Sequence, residues 1–368
     1  MFTVIKWFAK TILMLACALP FVRCASGYKD KDGVIYFNGE EITDKSFVVL
    51  NESFARDSSA VYYKSKSFQY ADVASFEAVD DHYAKDKNKV YYCDEYREGQ
   101  NYYMTKRQSI DEIEGALPAS FVSLDMHYAK DNKQAYFEGY AFTVEDVATF
   151  KSINYHFGSD QKRAYLNRKP IAGSHGASFE IIDDNFAKDE EHIYYYGYTG
   201  EDQHNIVMLP CDKATFEILD YRYSKDKEKV FFLGWIIKGA DGATFELLKE
   251  EYAKDKNAIY FQSKKVADVD VATFVVFDEN EEFGHDFAYA KDRTTVFMDD
   301  LKVPGADAGS FKVLGENYGS DRQHVFYKTE IVKGANPASF VVYPHDIGNA
   351  DAKDASNKFH EGVKVIDE

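Results

Sequence analysis

The chain has 368 residues and a formal charge of −18, with 44 Lys and Arg against 62 Asp and Glu. That balance excludes a nucleic-acid-binding face, which needs clustered basic residues, and argues against docking on anionic lipid headgroups. Tyr and Phe are abundant, 28 and 29 residues against 2 Trp, and their spacing carries most of the structural information.

The first predicted element is a targeting segment over residues 1–27. Lys6 and Lys10 make a positive start, Thr11 to Val22 is an apolar run too short to span a bilayer, and Ala25, Ser26 and Gly27 are small. This pattern reads as a signal peptide for export, to the periplasm or out of the cell, with cleavage after Cys24, Ala25 or Gly27. Lipid anchoring through Cys24 or Cys17 is the alternative. Cys24 sits at the right distance but follows Arg23 where a small residue is wanted, and Cys17 lies close behind Lys10. Cleavage would remove Lys6, Lys10 and Arg23 and no acid, taking the charge from −18 to −21 (−18 − 3). No later stretch could span a membrane.

Residues 28–366 read as a single array of about ten repeats, degenerate at both ends. A phrase such as Tyr83-Ala-Lys-Asp-Lys-Asn-Lys-Val-Tyr-Tyr92 recurs with its Asp at 57, 86, 131, 160, 189, 226, 255, 292 and 321. Five of the steps are 29 residues (57 to 86, 131 to 160, 160 to 189, 226 to 255, 292 to 321). Asp30 begins a degenerate first copy and Asp354 a truncated last one, each read as half a hairpin unit. A Ser/Thr-Phe pair runs in step, ending at Phe47, Phe76, Phe121, Phe150, Phe179, Phe216, Phe245, Phe274, Phe311 and Phe340, ten residues before the next Asp in eight of the ten cases, the exceptions being the insertion before Asp292 and the tail before Asp354.

Val-Tyr-Tyr is β-branched and aromatic and predicts a strand. The Asp-Lys-Asn ahead of it predicts a tight turn, since Asp and Asn side chains bond their own backbone. Gly239 to Phe245 predicts one helical turn with Asp241 as its N-cap. Two or three short strands per unit are expected. A lone hairpin is marginal, so neighbouring units must stack their aromatic positions into a continuous core. The expected fold is all-β, an open solenoid or superhelix of tandem hairpin repeats. A closed propeller-like ring is the alternative, less favoured because a four-stranded blade usually takes about 40 residues.

Chemistry-bearing motifs are few. The nine phrase Asp residues read as structural anchors. The Asp30 to Gly33 stretch and the Asp-Lys-Asn turns lack the oxygen count and distal Glu of a calcium loop. His82, His127 and His156 share one position in three consecutive repeats and are the candidate metal or proton-sensitive ladder. Asp80-Asp81, Asp183-Asp184 and Glu281-Glu282 read as solvated surface rather than a catalytic pair. Neither a catalytic residue nor a cofactor site is expected. Cys93 and Cys211 remain after cleavage, with no disulfide expected. Insertions at residues 93–115, 197–209 and 278–285 break the period and are where a partner would dock.

The repeated Asp86-Lys-Asn-Lys-Val-Tyr-Tyr92 phrase resembles the bacterial DKNYY family over roughly residues 28–366. The resemblance implies an exported or lipid-anchored protein of a family without assigned function, and it supplies no catalytic residues. Asp160-Gln-Lys-Arg, Asp189-Glu-Glu-His and Asp292-Arg-Thr-Thr depart in the turn but keep the Asp. The functional expectation is a non-enzymatic scaffold binding another protein at the cell envelope. A glycan-binding surface protein using exposed Tyr is the alternative.

Overall fold

The structure, a computed structural model, describes residues 27–97, 106–125, 127–198, 204–278, 288–315, 317–343 and 349–366. Residues 1–26 of the expected targeting segment, with Cys17 and Cys24, and most of the third insertion lie outside these residues. The described chain is eleven small antiparallel sheets in tandem, ten of four strands and a first one of three. In every sheet the strands follow chain order as a meander, and among the described residues no sheet closes into a barrel. Among the described residues no helix is long and apolar enough to cross a membrane.

The sheet built on Asp255 shows the pattern. Its four strands are Glu246–Leu247, Tyr252–Lys254, Ile259–Phe261 and Lys264–Lys265. Two or three strands were expected. The outer strands are only two residues long, below the length at which alternation registers in a sequence. For the same reason four strands fit in 29 residues, and the period is no argument against a four-stranded sheet. The last sheet is also complete, with strands at Val341–Val342, Ala352–Lys353, Lys358–His360 and Val363–Lys364. The half unit expected at the C-terminal end is thus corrected. A residue in the left-handed region, such as Gln262 at φ 52° or Glu138 at φ 50°, turns the third strand into the fourth.

The chain divides into two compact units, residues up to Ala172 and from Gly173 onward. In each, neighbouring sheets stack, and strand alternation assigns side chains to layers. Within the second unit, Ile259 is buried in the layer shared with Ala290 and Phe297 of the following repeat. Tyr260 between them points the other way, into the layer with Tyr223, Val230 and Ile237 of the preceding repeat. Likewise Tyr252 faces forward and Ala253 backward. The first unit repeats this, with Tyr128, Ala135 and Phe137 forward and Ala129 and Tyr136 backward. Burial on both faces explains why Val-Tyr-Tyr runs without a polar break.

The backward position after the phrase Tyr or Phe is always small: Ala84, Ala129, Gly158, Ala187, Ser224, Ala253, Ala290, Gly319. The Ser/Thr-Phe ring of the same repeat covers it. A Cβ added at Gly158 would come 2.7 Å from Phe150 Cζ, and at Gly319 2.3 Å from Phe311 Cζ.

Candidate functional site

The phrase Asp residues are hubs, and the full form joins three segments. In the first unit, Asp86 Oδ1 accepts from the Asn88 and Lys89 amides at 2.7 and 2.9 Å, closing its own turn. Its Oδ2 accepts from the Asp72 amide and from the Tyr91 hydroxyl, each at 2.9 Å. Asp131 and Asp160 repeat the scheme, as do Asp189 and Asp255 in the second unit. Asp226, Asp292 and Asp321 keep the amide bonds but face Phe231, Phe297 and Phe326 where the others face Tyr. Asp57, in the second sheet, keeps its turn and the Tyr62 hydroxyl at 2.7 Å. Burial pushes the Asp86, Asp131, Asp160 and Asp226 carboxyls up, but the converging N–H and O–H donors outweigh it and hold them below the usual carboxylate range. The same balance brings Asp189 down to about 2.

The Ser or Thr of the Ser/Thr-Phe pair completes this network. Its hydroxyl accepts from the amide just after the phrase Asp, as in Lys87 to Ser75 at 3.1 Å, Gln161 to Thr149 at 2.9 Å and Lys256 to Thr244 at 3.2 Å. Asp212 and Asp270 cap single 3-10 turns by accepting from Ala214 and Ala272. Asp241 accepts from the Thr244 amide at 3.0 Å, the bond expected of an N-cap, but residues 242–244 close a hydrogen-bonded turn rather than the helical turn expected there. The role of the Ser/Thr hydroxyl escaped sequence reasoning because its partner lies twelve or more residues on, although the recurrent ten-residue step between the two anchors was a visible sign.

A third set of bonds joins repeats. The Tyr83 hydroxyl donates to the His127 carbonyl at 2.7 Å, and Tyr128 to the His156 carbonyl at 2.8 Å. In the second unit, Tyr289 reaches the Asn317 and Lys328 carbonyls at 2.9 and 2.8 Å.

The three candidate histidines lie side by side on one edge of the first unit. His82 and His127 stack at 6.1 Å between ring centroids. Tyr155 then stands edge-on to His127 at 4.2 Å and lies 4.5 Å from His156. His82 Nδ1 is 2.9 Å from the Cys93 carbonyl oxygen, and His127 Nδ1 is 3.6 Å from Glu138 Oε1. Among the described residues no group of three or more His, Cys, Asp or Glu is arranged to hold a metal ion. The acidic pairs are turn-forming: Asp80 Oδ1 accepts from the His82 and Tyr83 amides, and Asp183 Oδ1 from Asn185 and Phe186. Glu281-Glu282 lies outside the described residues. Both Cys93 and Cys211 are free thiols, and burial pushes Cys211 up to about 11.

The first two insertions are lengthened hairpins. Val90–Tyr96 pairs with Arg107–Glu112, and Ile193–Tyr198 with His204–Leu209, so each extends a repeat sheet beyond the array. On the first, alternation puts Tyr92, Asp94 and Tyr96 on one face, with Asp111 and Ser109 opposite Tyr92 and Asp94. That face and the Glu138–Ala141 turn of the next sheet enclose a groove of about 550 Å³. Glu112 and Glu114 also border it. This groove is the candidate site.

Fold and site together define a β-repeat protein in which recurrent polar residues build the repeat, and two lengthened hairpins depart from it. The DKNYY family model matches residues 5–95, 96–235 and 223–362, and the chain belongs to the DKNYY family. No curated protein and no solved structure matches it.

Proposed function

We propose that this chain is a non-enzymatic repeat scaffold, exported to the cell envelope, that holds a protein partner through its period-breaking hairpins. The carrying observation is the contrast in the site. Phrase Asp residues and Ser/Thr hydroxyls are engaged in bonds that build the repeat, whereas the Val90–Tyr96 and Ile193–Tyr198 hairpins extend beyond what the repeat needs. The N-terminal pattern of Lys6, Lys10 and the apolar run to Val22 supports export. Exposed aromatic residues, Tyr70, Tyr140 and Trp235 among them, support glycan binding as the second reading.

Two measurements test the proposal. Cell fractionation with N-terminal sequencing should find an envelope or secreted chain starting near residue 25–28. An intact N-terminus in the cytoplasm would refute export. Crosslinking in cells should capture a partner with the wild-type chain and lose it when residues 97–106 and 199–203 are replaced by two-residue turns. Retention of the same partner by that variant would remove the hairpins from the interaction, and binding to neutral oligosaccharides instead would favour the glycan reading.

A further inference from the structure

The geometry points to the groove at the first insertion as a docking site for a Lys- or Arg-bearing extended segment of a partner protein. This rests on the scaffold reading and names the chemistry of what the scaffold holds.

Three observations carry it. The groove is walled by tyrosine rings, Tyr96 and Tyr140 being 44% and 63% exposed. Five carboxylates line it, Asp94, Asp111, Glu112, Glu114 and Glu138, against two arginines at its margins, Arg107 opposite Tyr96 on the same hairpin face and Arg168 over Tyr140. Some of those carboxylates have local partners: Lys89 lies 2.6 Å from Glu112, and the Tyr155 hydroxyl donates to Glu138 at 3.0 Å. Among the described residues, Asp111 and Glu114 form no ion pair. The third observation is that the same wall already takes a cation from within the chain. The Arg168 guanidinium of the next repeat lies 4.9 Å from the Tyr140 ring centroid, a cation–π distance.

Together these select the occupant. A neutral sugar could stack on Tyr96 and Tyr140 and donate hydroxyls to the carboxylates, but it would leave their charge unpaired. An ammonium or guanidinium satisfies ring and carboxylate at once. The lining takes alternate residues of one hairpin strand, Tyr92, Asp94 and Tyr96, which suits an extended chain presenting alternate side chains to one face. The net charge of −18 would also steer a cationic segment toward the molecule.

The test is fluorescence anisotropy of the full mature chain with a labelled octapeptide alternating Lys and Ala, at low and at moderate salt. Saturable binding is expected, weakened about tenfold by the double substitution Asp111→Asn, Glu114→Gln, and severalfold by Tyr140→Ser. Glu217→Gln with Glu246→Gln removes the same charge on exposed strands elsewhere and should leave binding unchanged. An equal loss in that control would reduce the effect to bulk charge and overturn the proposal, as would no saturable binding by a folded wild-type chain. Displacement of the peptide by a neutral oligosaccharide would make the groove a sugar site and also overturn it. Hairpin-dependent capture of a protein partner, with no peptide binding, would preserve the scaffold reading while removing the cationic assignment.

Discussion

A buried carboxylate is costly unless its lone pairs are filled. Asp160 shows how the repeat meets that cost: its two oxygens take four backbone amides and the Tyr165 hydroxyl, all between 2.7 and 2.9 Å. Asp160→Ala strands several of these donors and should lower unfolding free energy by about 3 kcal/mol in urea denaturation, at ~1–3 kcal/mol per buried unsatisfied group. Tyr165→Phe should cost only about 1 kcal/mol, because Phe231, Phe297 and Phe326 occupy the equivalent position in other repeats. The same bonds set a pH dependence. The folded pKa of Asp86, Asp131, Asp160, Asp189 and Asp226 is lowered, so their stabilisation is fully present above the unfolded value. It is lost as pH falls through the folded values. Thermal unfolding should be insensitive to these groups above about pH 5 and should fall steeply from about pH 4 downward. A flat melting temperature down to pH 2 would contradict the hub assignment.

Pairing within each sheet explains a pattern that composition hides. The residue after the Ser/Thr-Phe pairs with the one before the phrase Asp. Glu77, Glu180, Glu217 and Glu246 stand opposite Lys85, Lys188, Lys225 and Lys254. Where the first residue is lysine, at Lys151 and Lys312, the second is Ser159 and Ser320. The other four-stranded sheets place Val opposite Lys or Arg, as at Val122 and Lys130. Like charges directly opposite are avoided, a cross-strand effect of roughly 0.2–1 kcal/mol. Glu246→Lys should therefore destabilise by about 0.5 kcal/mol, and Glu246→Val should be nearly neutral. A larger effect arises at the small position. Ala253 is fully buried, and Ala253→Leu should cost about 2–3 kcal/mol or more by overpacking. Equal stability of the Leu variant in chemical denaturation would mean that the ring of Phe245 does not close that layer.

Because each sheet packs on its sequence neighbours within a compact unit, stability should behave as a sum over repeats and the interfaces between them. Excising residues 227–255 joins Asp226 to Lys256 and removes one full 29-residue period in register. The shortened chain should fold with the same β-sheet circular dichroism and a urea m value reduced in proportion to the surface removed. Excising 22 residues from the same point would misplace Asp, Tyr and Phe relative to their layers and should not fold. Failure of the in-register excision would show coupling beyond nearest neighbours.

The phrase Asp, the Ser/Thr-Phe anchor, the turn and the Asp241 cap were legible in the chain, because each is a local preference repeated along it, and the first two insertions were legible as breaks in that repeat. Two-residue outer strands were not legible, since so short a strand has no period of its own and exists only through pairing with Tyr252–Lys254 and its counterparts. The amide fourteen residues before Asp86 and the carbonyl met by Tyr83 were equally hidden, for these partners are brought together only by stacking. The groove beside Tyr96 and Tyr140 belongs to the same class. Sequence by itself determined the repeat unit and where its rhythm breaks. Tertiary structure decided how many strands a unit holds, which carboxylates are consumed in building it, and that Asp111 and Glu114 are not, because those outcomes depend on contacts between residues that no local preference connects.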